Sequence, residues 1–137
     1  MAKMVYSRDE DIIRFITDEG ELHEFECRND FVEGYNEDGD PHESLPLGEY
    51  ECSADPIEEV NYGPAYGSFY INTGDSRERD IHGGGSGLED PYDDFQGWVP
   101  TYGCLRMQNA DGKRLTELMF EYGNVIPLTV QEEPWED

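Results

Sequence analysis

The chain is short of basic residues: nine lysines and arginines stand against 33 aspartates and glutamates, which gives a formal net charge of -24. Such an acidic surface repels phosphate backbones and anionic lipids, so we expect neither a nucleic-acid partner nor attraction to an anionic membrane. The charge is typical of a heavily solvated or salt-adapted surface. It leaves open another class, an acidic decoy that mimics nucleic acid and occupies a basic partner.

Cysteines and long apolar runs are also scarce. The three cysteines are an odd number, which argues against a disulfide framework. Cys27 and Cys52 lie in strand-like segments and are interpreted as small buried hydrophobes, with a bridge between them left open. No run is apolar and long enough for a transmembrane helix, and residues 1–10 lack the apolar core of a signal peptide. We therefore expect no membrane insertion and synthesis as a soluble cytoplasmic protein.

Signatures of cofactor and metal sites are missing as well. The sequence contains no P-loop, no dinucleotide fingerprint and no Gly-x-Ser-x-Gly elbow. His23 and His42 have no cysteine or histidine partner at zinc-site spacing, and residues 36–40 lack the spacing of an EF-hand loop. We expect no cofactor and no bound metal.

The residues that are present favour β-structure. Residues 12–17 and 22–27 combine β-branched, aromatic and alternating polar positions around a turn at 18–20, which predicts a hairpin. Pro127 has no N–H to give to a ladder and predicts that the last strand lies at the edge of a sheet. Further strands are predicted at 45–52 (after a turn), 68–72, 79–82 and 125–130.

One helix is predicted before that last strand. We expect Asn109 or Asp111 to cap its start, and Gly123 fits the C′ position that ends a helix. The connections rich in Gly, Pro and acidic residues are interpreted as loops, and 83–100, with the acidic segment 89–94, as an exposed loop or lid. The result is a single mainly β domain over residues 1–137. Its helix has one apolar face, formed by Leu115, Leu118, Met119 and Tyr122.

The segment with the most chemical content is 101–106 (Thr-Tyr-Gly-Cys-Leu-Arg), which follows His82 across the loop 83–100. A thiolate attacks carbonyl carbon, an imidazole accepts the thiol proton, and amides beside the cysteine hold a developing oxyanion. Cys104 and His82 both adjoin glycine at predicted strand ends, where a sheet can fix side chains within hydrogen-bond reach. Arg106 can lower the pKa of the thiol or bind a substrate carboxylate.

These residues resemble the signature of the L,D-transpeptidase (YkuD-like) family: a histidine, a spacer, then Ser or Thr, usually His, Gly, Cys, an apolar residue, and Arg or Asn. Segment 45–50 (Leu-Pro-Leu-Gly-Glu-Tyr) is similar to the Pro-x-Gly-x-Tyr element of that family, and 111–130 to its C-terminal end. The hairpin at 12–27 is similar to that of the toxin-like branch called DUF2778. The resemblance implies an L,D-transpeptidase-like β-sandwich or partial barrel with one C-terminal helix.

The resemblance also implies the catalytic roles. Cys104 would be the nucleophile, with a depressed thiol pKa, and His82 the general base. The Gly83 carbonyl would orient the imidazole. The amides of Gly103 and Cys104 would contribute to the oxyanion hole.

The implied substrate is a peptidoglycan stem peptide, cut before its terminal D-alanine, and the thioacyl enzyme would pass to an amine or to water. Arg106, Thr101 and Tyr102 would order the site and bind substrate, with Tyr102 standing where most of the family has histidine. The acidic segment 89–94 is expected to act as a lid or to favour a cationic acceptor amine. A non-catalytic binding relative and the acidic decoy are the alternatives. Non-classical export to the periplasm or cell wall, or a phage origin, would reconcile the substrate with the missing signal peptide.

Overall fold

Eight short strands and one α-helix form the structure, a computed structural model that describes residues 1–136. Within those residues no helix has the length and apolar character needed to cross a membrane. The helix α1 covers Asn109–Glu121, and one turn of 3-10 helix covers Ile57–Glu59. The strands are β1 (Lys3–Ser7), β2 (Ile12–Ile16), β3 (Leu22–Glu26), β4 (Gly48–Ala54), β5 (Tyr70–Asn72), β6 (Ile81–His82), β7 (Leu105–Arg106) and β8 (Ile126–Gln131).

The strands pair in the order β3-β2-β1-β8-β4-β5-β6-β7. The β1–β8 and β6–β7 pairs are parallel and the others are antiparallel. Strand β4 joins the two parts of this order, because its first five residues pair with β8 and its last two with β5. The mainly β fold with one C-terminal helix is therefore confirmed.

The predicted hairpin is formed by β2 and β3, with Ile12 opposite Glu26 and Ile16 opposite Leu22. Gly20 in its turn has a φ of 84°, a left-handed conformation that glycine adopts without penalty. Strand β1 was not predicted from the sequence. It pairs with β2 on the side away from β3, and its Tyr6 side chain is fully buried.

Strand β8 lies in the middle of the sheet, so the edge position predicted from Pro127 is wrong. Pairing with β1 begins at Leu128, whereas pairing with β4 already places Pro127 opposite Glu51. At Pro127 the strand thus has a neighbour on one side only. A proline, which lacks an N–H, is tolerated at such a position even though the strand as a whole is central.

The start of α1 corrects a second prediction. The N-cap position is Gln108 rather than Asn109 or Asp111, and no side chain makes a capping hydrogen bond there. Asn109 is the first helical residue and is fully buried. Its side chain bonds to loops instead, because the start of the helix is packed beneath the segment that precedes it.

The predicted end of α1 is confirmed. Gly123 follows the C-cap residue with a φ of 94°. Its N–H bonds to the Phe120 carbonyl at 3.4 Å, and the Asn124 N–H bonds to the Met119 carbonyl at 2.7 Å. These two bonds are those of a Schellman motif, which satisfies the last carbonyls of a helix.

Two of the three cysteines belong to the core. Cys27 and Cys52 are free and fully buried, so the bridge that the sequence left open is not formed. Burial raises the pKa of the Cys27 thiol well above its usual value and that of Cys52 to about 12. Both thiols therefore act as small apolar side chains, as predicted.

Candidate active site

A cavity of about 510 Å³ gathers most of the predicted site residues. His82, Thr101, Tyr102, Cys104 and Arg106 all line it. Gly83 and Gly103 are their neighbours in the chain. The remaining walls come from loops that pack around β6 and β7: Val32, Asn36, Ala65, Tyr66, Arg77, Glu78, Arg79, Ser86, Val99 and Pro100.

The parallel pairing of β6 with β7 sets the positions of the two reactive side chains. His82 lies opposite Arg106, and the Leu105 N–H bonds to the Asp80 carbonyl at 2.9 Å. Residues two apart along a strand point to the same face. Cys104 directly precedes β7 and Asp80 directly precedes β6, so the register places Cys104 beside Asp80, two residues before His82. The two residues share one cavity, as the sequence predicted.

The imidazole of His82 is neutral and held in one orientation. Its Nδ1 lies 2.9 Å from the Gly83 carbonyl oxygen. Because a carbonyl can only accept, the proton sits on Nδ1, and Nε2 keeps its lone pair for the cavity. Burial lowers the pKa of the imidazole to about 4. The role that the resemblance gave to the Gly83 carbonyl thus has matching geometry.

Cys104 has a different protonation state from the one expected. Burial raises the pKa of its thiol to about 11, which outweighs the opposing effects of the Asp80 amide and the Arg106 charge. Its Sγ donates to the Glu78 carbonyl at 3.8 Å. The expectation of a depressed thiol pKa is therefore wrong, since the sulfur is desolvated and its hydrogen has an acceptor.

Thr101 fixes the turn that presents the cysteine. Its hydroxyl donates to the Cys104 carbonyl at 2.7 Å and accepts the Gly103 N–H at 3.0 Å. Gly103 has a φ of 138°, and a Cβ there would overlap the Glu43 carbonyl, so only glycine fits. The Gly103 amide is occupied by Thr101 and is not free for an oxyanion, contrary to expectation. Among residues 1–136 the Cys104 amide has no acceptor and stays available.

Arg106 contributes a buried positive charge to the cavity. Its Nη1 donates to the Val99 carbonyl at 2.7 Å and its Nη2 to the Ala65 carbonyl at 3.1 Å. Within residues 1–136 its Nε has no hydrogen-bond acceptor, and no carboxylate forms an ion pair with it. Burial lowers the pKa of the guanidinium, which still remains charged at neutral pH. A buried cation without a counterion favours an anionic group in the cavity.

Tyr102 lies at the rim of the cavity and is 69% exposed. Its ring stacks on His42, with 4.7 Å between centroids and 27° between planes. His42 is in turn held by its Nδ1, 2.8 Å from the Val32 carbonyl. The imidazole of His42 thus lies beside position 102. That position is tyrosine in this chain and usually histidine in the signature that the sequence resembles.

Three residues that sequence reasoning did not single out support His82 and Cys104. Tyr70 lies opposite His82 and stacks on it, with 6.1 Å between ring centroids and 9° between planes. The Tyr70 hydroxyl donates to Asp80, which also accepts the Thr73 N–H at 2.9 Å. Burial raises the pKa of Tyr70, so its hydroxyl stays protonated. Asp80 could have been found from the sequence, because it lies two residues before His82 and residues at that spacing in a strand point to the same face.

Asn109 is a fourth residue that the sequence did not reveal, because it was interpreted as a cap. Its Oδ1 accepts the N–H groups of Ser68 and Gly84 at 3.1 and 3.2 Å. Its Nδ2 donates to the carbonyls of Pro91 and Asp93 at 2.8 and 2.7 Å. One buried amide therefore ties three loop segments together behind the cavity.

The acidic segment 89–94 does not cover the site. None of its residues lines the cavity. Asp94 instead lies beside α1, where its carbonyl accepts the Ala110 N–H at 3.0 Å and its carboxylate lies 3.3 Å from Lys113 Nζ. The expectations of a lid and of an acidic acceptor subsite are wrong, because this segment is fastened to the start of the helix.

Comparisons with known proteins identify the fold. No protein-family model matches the chain, and no curated protein is similar to it in sequence. The helical cell shape determining protein Pgp2 from Campylobacter jejuni matches with a TM-score of 0.64 and 17% identity, over 98% of this chain and 48% of that one. The L,D-transpeptidase from Xylanimonas cellulosilytica matches with a TM-score of 0.59 and 15% identity, over 94% of this chain and 59% of that one.

A further L,D-transpeptidase, Yku from Stackebrandtia nassauensis, matches with a TM-score of 0.59 and 14% identity, over 94% of this chain and 54% of that one. The chain therefore spans about half the length of these proteins. Together these structures show that the chain has the L,D-transpeptidase fold, as the resemblance implied.

Proposed function

We propose that the chain is a cysteine-dependent L,D-transpeptidase or L,D-carboxypeptidase that acts on peptidoglycan stem peptides. The observation that carries the proposal is the meeting of Cys104, His82 and Arg106 in one cavity beside β6 and β7. The L,D-transpeptidase fold supports it. The acidic surface is compatible with it, because the cavity lining is locally cationic.

Each group has a definite task in the proposed reaction. The thiol proton moves to Nε2 of His82 as the sulfur attacks the carbonyl carbon that precedes the terminal D-alanine. The Cys104 amide stabilises the oxyanion. Collapse of the intermediate breaks the C–N bond, and the leaving amine takes the proton from His82. An acceptor amine or water then attacks the thioester and gives its proton to His82, and the C–S bond breaks as the sulfur takes that same proton from His82.

The pKa values favour proton transfer during attack over a preformed ion pair. With the thiol pKa at about 11 and the imidazole pKa at about 4, separated charges lie on the order of 10 kcal/mol above the neutral pair, before their mutual attraction. The thiol must also turn from the Glu78 carbonyl towards His82. A bound substrate that expels water and places its carbonyl between the two residues favours this rotation of the thiol.

The experiment is release of D-alanine from a stem tetrapeptide, measured with wild type, Cys104→Ala and His82→Ala. Cys27→Ala and Cys52→Ala are matched controls, since both remove a buried thiol outside the cavity. We expect both controls to turn over and both cavity variants to lose at least about 100-fold in rate. A thioacyl adduct on Cys104, seen by mass spectrometry, would support the mechanism. An active Cys104→Ala protein would disprove it.

A non-catalytic binding protein with the same fold is the second candidate. The raised pKa of the Cys104 thiol and its hydrogen bond to Glu78 favour it. It predicts that the wild-type protein binds stem peptide without releasing D-alanine. Titration calorimetry beside the release assay separates the two functions.

A further inference from the structure

Asp80 is a buried carboxylate next to the candidate nucleophile, and it takes no part in the proposed reaction. Its side chain accepts hydrogen bonds at both oxygens. Oδ1 accepts the Thr73 N–H at 2.9 Å and the Thr73 hydroxyl at 3.2 Å, and Oδ2 accepts the Tyr70 hydroxyl. A buried carboxylate is costly unless hydrogen bonds satisfy it. The donors therefore hold Asp80, which is 4% exposed, and Asp80 in turn holds them.

The backbone of Asp80 contacts the nucleophile. Its carbonyl accepts the Leu105 N–H at 2.9 Å, which fixes the residue beside Cys104. Burial has the largest influence on the pKa of the Cys104 thiol and raises it. The Asp80 N–H donates to the sulfur and lowers that pKa, whereas the negative charge of the Asp80 carboxylate raises it. Among the other charges near the sulfur, Arg106 lowers the thiol pKa and Asp75 raises it.

The tyrosine that Asp80 holds is packed against the base. Tyr70 lies opposite His82 in the pairing of β5 with β6. The two rings are nearly parallel, with 6.1 Å between centroids and 9° between planes. Tyr66 meets the imidazole edge-on from another direction, at 4.9 Å and 61°. The hydrogen bond from Nδ1 to the Gly83 carbonyl cannot by itself set the plane of the imidazole, so the two tyrosine rings set it.

We propose that Asp80 and Tyr70 are a positioning pair, in which Asp80 holds the Tyr70 ring against His82 and presents its own N–H to the Cys104 sulfur. The kinetic part of this inference rests on the proposed function. Neither Asp80 nor Tyr70 lines the cavity, so both act through the base and the nucleophile and not on a substrate. One buried residue thereby fixes both reacting groups, and a misplacement of about 1 Å at such groups costs about 100-fold in rate.

A second tyrosine–aspartate pair close by supplies the controls. Tyr62 donates its hydroxyl to Asp55 and packs edge-on against Tyr70, with 5.3 Å between ring centroids. Neither Tyr62 nor Asp55 lines the cavity. Tyr62→Phe is therefore the matched control for Tyr70→Phe. Asp55→Asn is the matched control for Asp80→Asn, which keeps the size of the side chain and removes its charge.

The first measurement is the ¹⁵N NMR spectrum of the His82 imidazole at neutral pH, which reports the tautomer and needs no turnover. His82→Gln assigns the signals. We expect a single tautomer with the proton on Nδ1 in wild type, in Tyr70→Phe and in Tyr62→Phe. Tyr70→Leu, which removes the ring, should give shifts averaged between the two tautomers. A wild-type spectrum in Tyr70→Leu would overturn the positioning of His82 by Tyr70.

The second measurement is the rate of Cys104 alkylation against pH. Asp80→Asn should move the profile about one pH unit lower, because a negative charge near the thiolate is removed. This shift makes the reaction about tenfold faster at pH 8. Asp55→Asn should leave the profile unchanged. Equal profiles in Asp80→Asn and wild type would overturn the assignment of Asp80, whether or not Tyr70→Leu folds.

Release of D-alanine from the stem tetrapeptide separates this inference from the proposed function. Tyr70→Leu should lower kcat about 100-fold and change KM less than about twofold. Tyr70→Phe keeps the ring and should stay within about tenfold of wild type. A raised KM with unchanged kcat in Tyr70→Leu would mean that Tyr70 binds substrate and would overturn the positioning role. If wild type releases no D-alanine but the spectra and alkylation profiles are as expected, the proposed function fails and the positioning pair stands.

Discussion

The sulfur of Cys104 donates its hydrogen to the Glu78 carbonyl 3.8 Å away, although the imidazole of His82 lines the same cavity. Glu78 has a φ of 55°, a left-handed conformation that is uncommon outside glycine and asparagine. The chain thus holds an unusual backbone geometry at the residue whose carbonyl accepts the hydrogen bond from the thiol. The thiol of Cys104 is therefore neutral and hydrogen-bonded to the backbone rather than to His82.

The reactivity of Cys104 should follow from that state. We expect alkylation by iodoacetamide to be slow at neutral pH and to rise about tenfold per pH unit up to pH 10, because burial raises the pKa of the thiol to about 11. His82→Ala should change this profile little, since the imidazole does not hold the thiol proton. The measurement is alkylation rate against pH, with Cys104→Ala subtracting Cys27 and Cys52. A plateau near pH 7 that disappears in His82→Ala would show that the thiol is ionised by His82 and would contradict a neutral thiol.

The stability of the protein should depend on pH through His82. Burial lowers the pKa of its imidazole from 6.5 to about 4, so between these pH values the unfolded chain binds more protons than the folded one. Stability is therefore lost as the pH falls from about 6.5 towards 4. Between pH 7 and pH 4.5 we expect the free energy of unfolding of wild type to fall by about 2–3 kcal/mol more than that of His82→Gln. Urea unfolding at both pH values measures it, and parallel losses in the two proteins would refute the prediction.

Asn109 should be important for the order of the loops behind the cavity. Asn109→Ala leaves two N–H groups and two carbonyls without their partner. We expect it to lower the free energy of unfolding by about 2–4 kcal/mol, since buried unpaired polar groups are costly. Asn109→Asp keeps the acceptor but places a charge against two carbonyls, so it should be no better than alanine. Urea unfolding of both variants checks this, and a loss below about 0.5 kcal/mol would show that water replaces the amide.

The substitution Gly112→Ala should change stability in the opposite direction from the usual replacement of a helical glycine by alanine. Replacing an exposed helical glycine by alanine stabilises a protein by about 0.5–1 kcal/mol. A Cβ at Gly112 would overlap the ring of Phe69, which is fully buried. We therefore expect Gly112→Ala to destabilise by about 1–3 kcal/mol. Thermal unfolding measures the sign.

The matched variant for this prediction is Phe69→Leu, which takes away the obstructing ring. In the Phe69→Leu background Gly112→Ala should be less harmful than in wild type, so the two changes should be non-additive. Additive effects would mean that Phe69 is not the obstacle.

Local sequence predicted the elements whose patterns are local. The hairpin of β2 and β3 and the face of α1 that holds Leu115 and Leu118 follow from alternation and helical spacing. The central position of β8 does not follow from a local pattern. Pro127 shows only that one N–H is missing, and it does not indicate which strands lie beside β8. Strand β1 was missed since its burial depends on a parallel partner at the other end of the sequence.

The meeting of the candidate residues in one cavity was predicted, but the protonation of the cysteine was not. The cluster of His82, Cys104 and Arg106 was found because their order resembles a known signature and the fold brings them together. The raised pKa of the thiol was not, because desolvation depends on what packs over the sulfur. The capping role given to Asn109 failed for a similar reason, as its partners are loops that only the tertiary structure brings near. The DUF2778 branch and the non-classical route of export stay predictions.

The central place of β8 has a consequence for the order of assembly. This strand, the last along the described chain, joins β1 to β4 and so links the hairpin half to the half that carries the cavity. Neither half is closed before residues 126–131 are in place, and contacts so distant in sequence make folding slow. During synthesis Cys104 and His82 are therefore present in the chain before the strand that joins the two halves of the sheet. A chain shortened before β8 should lack the strand between β1 and β4, so its two halves should not pair into one sheet.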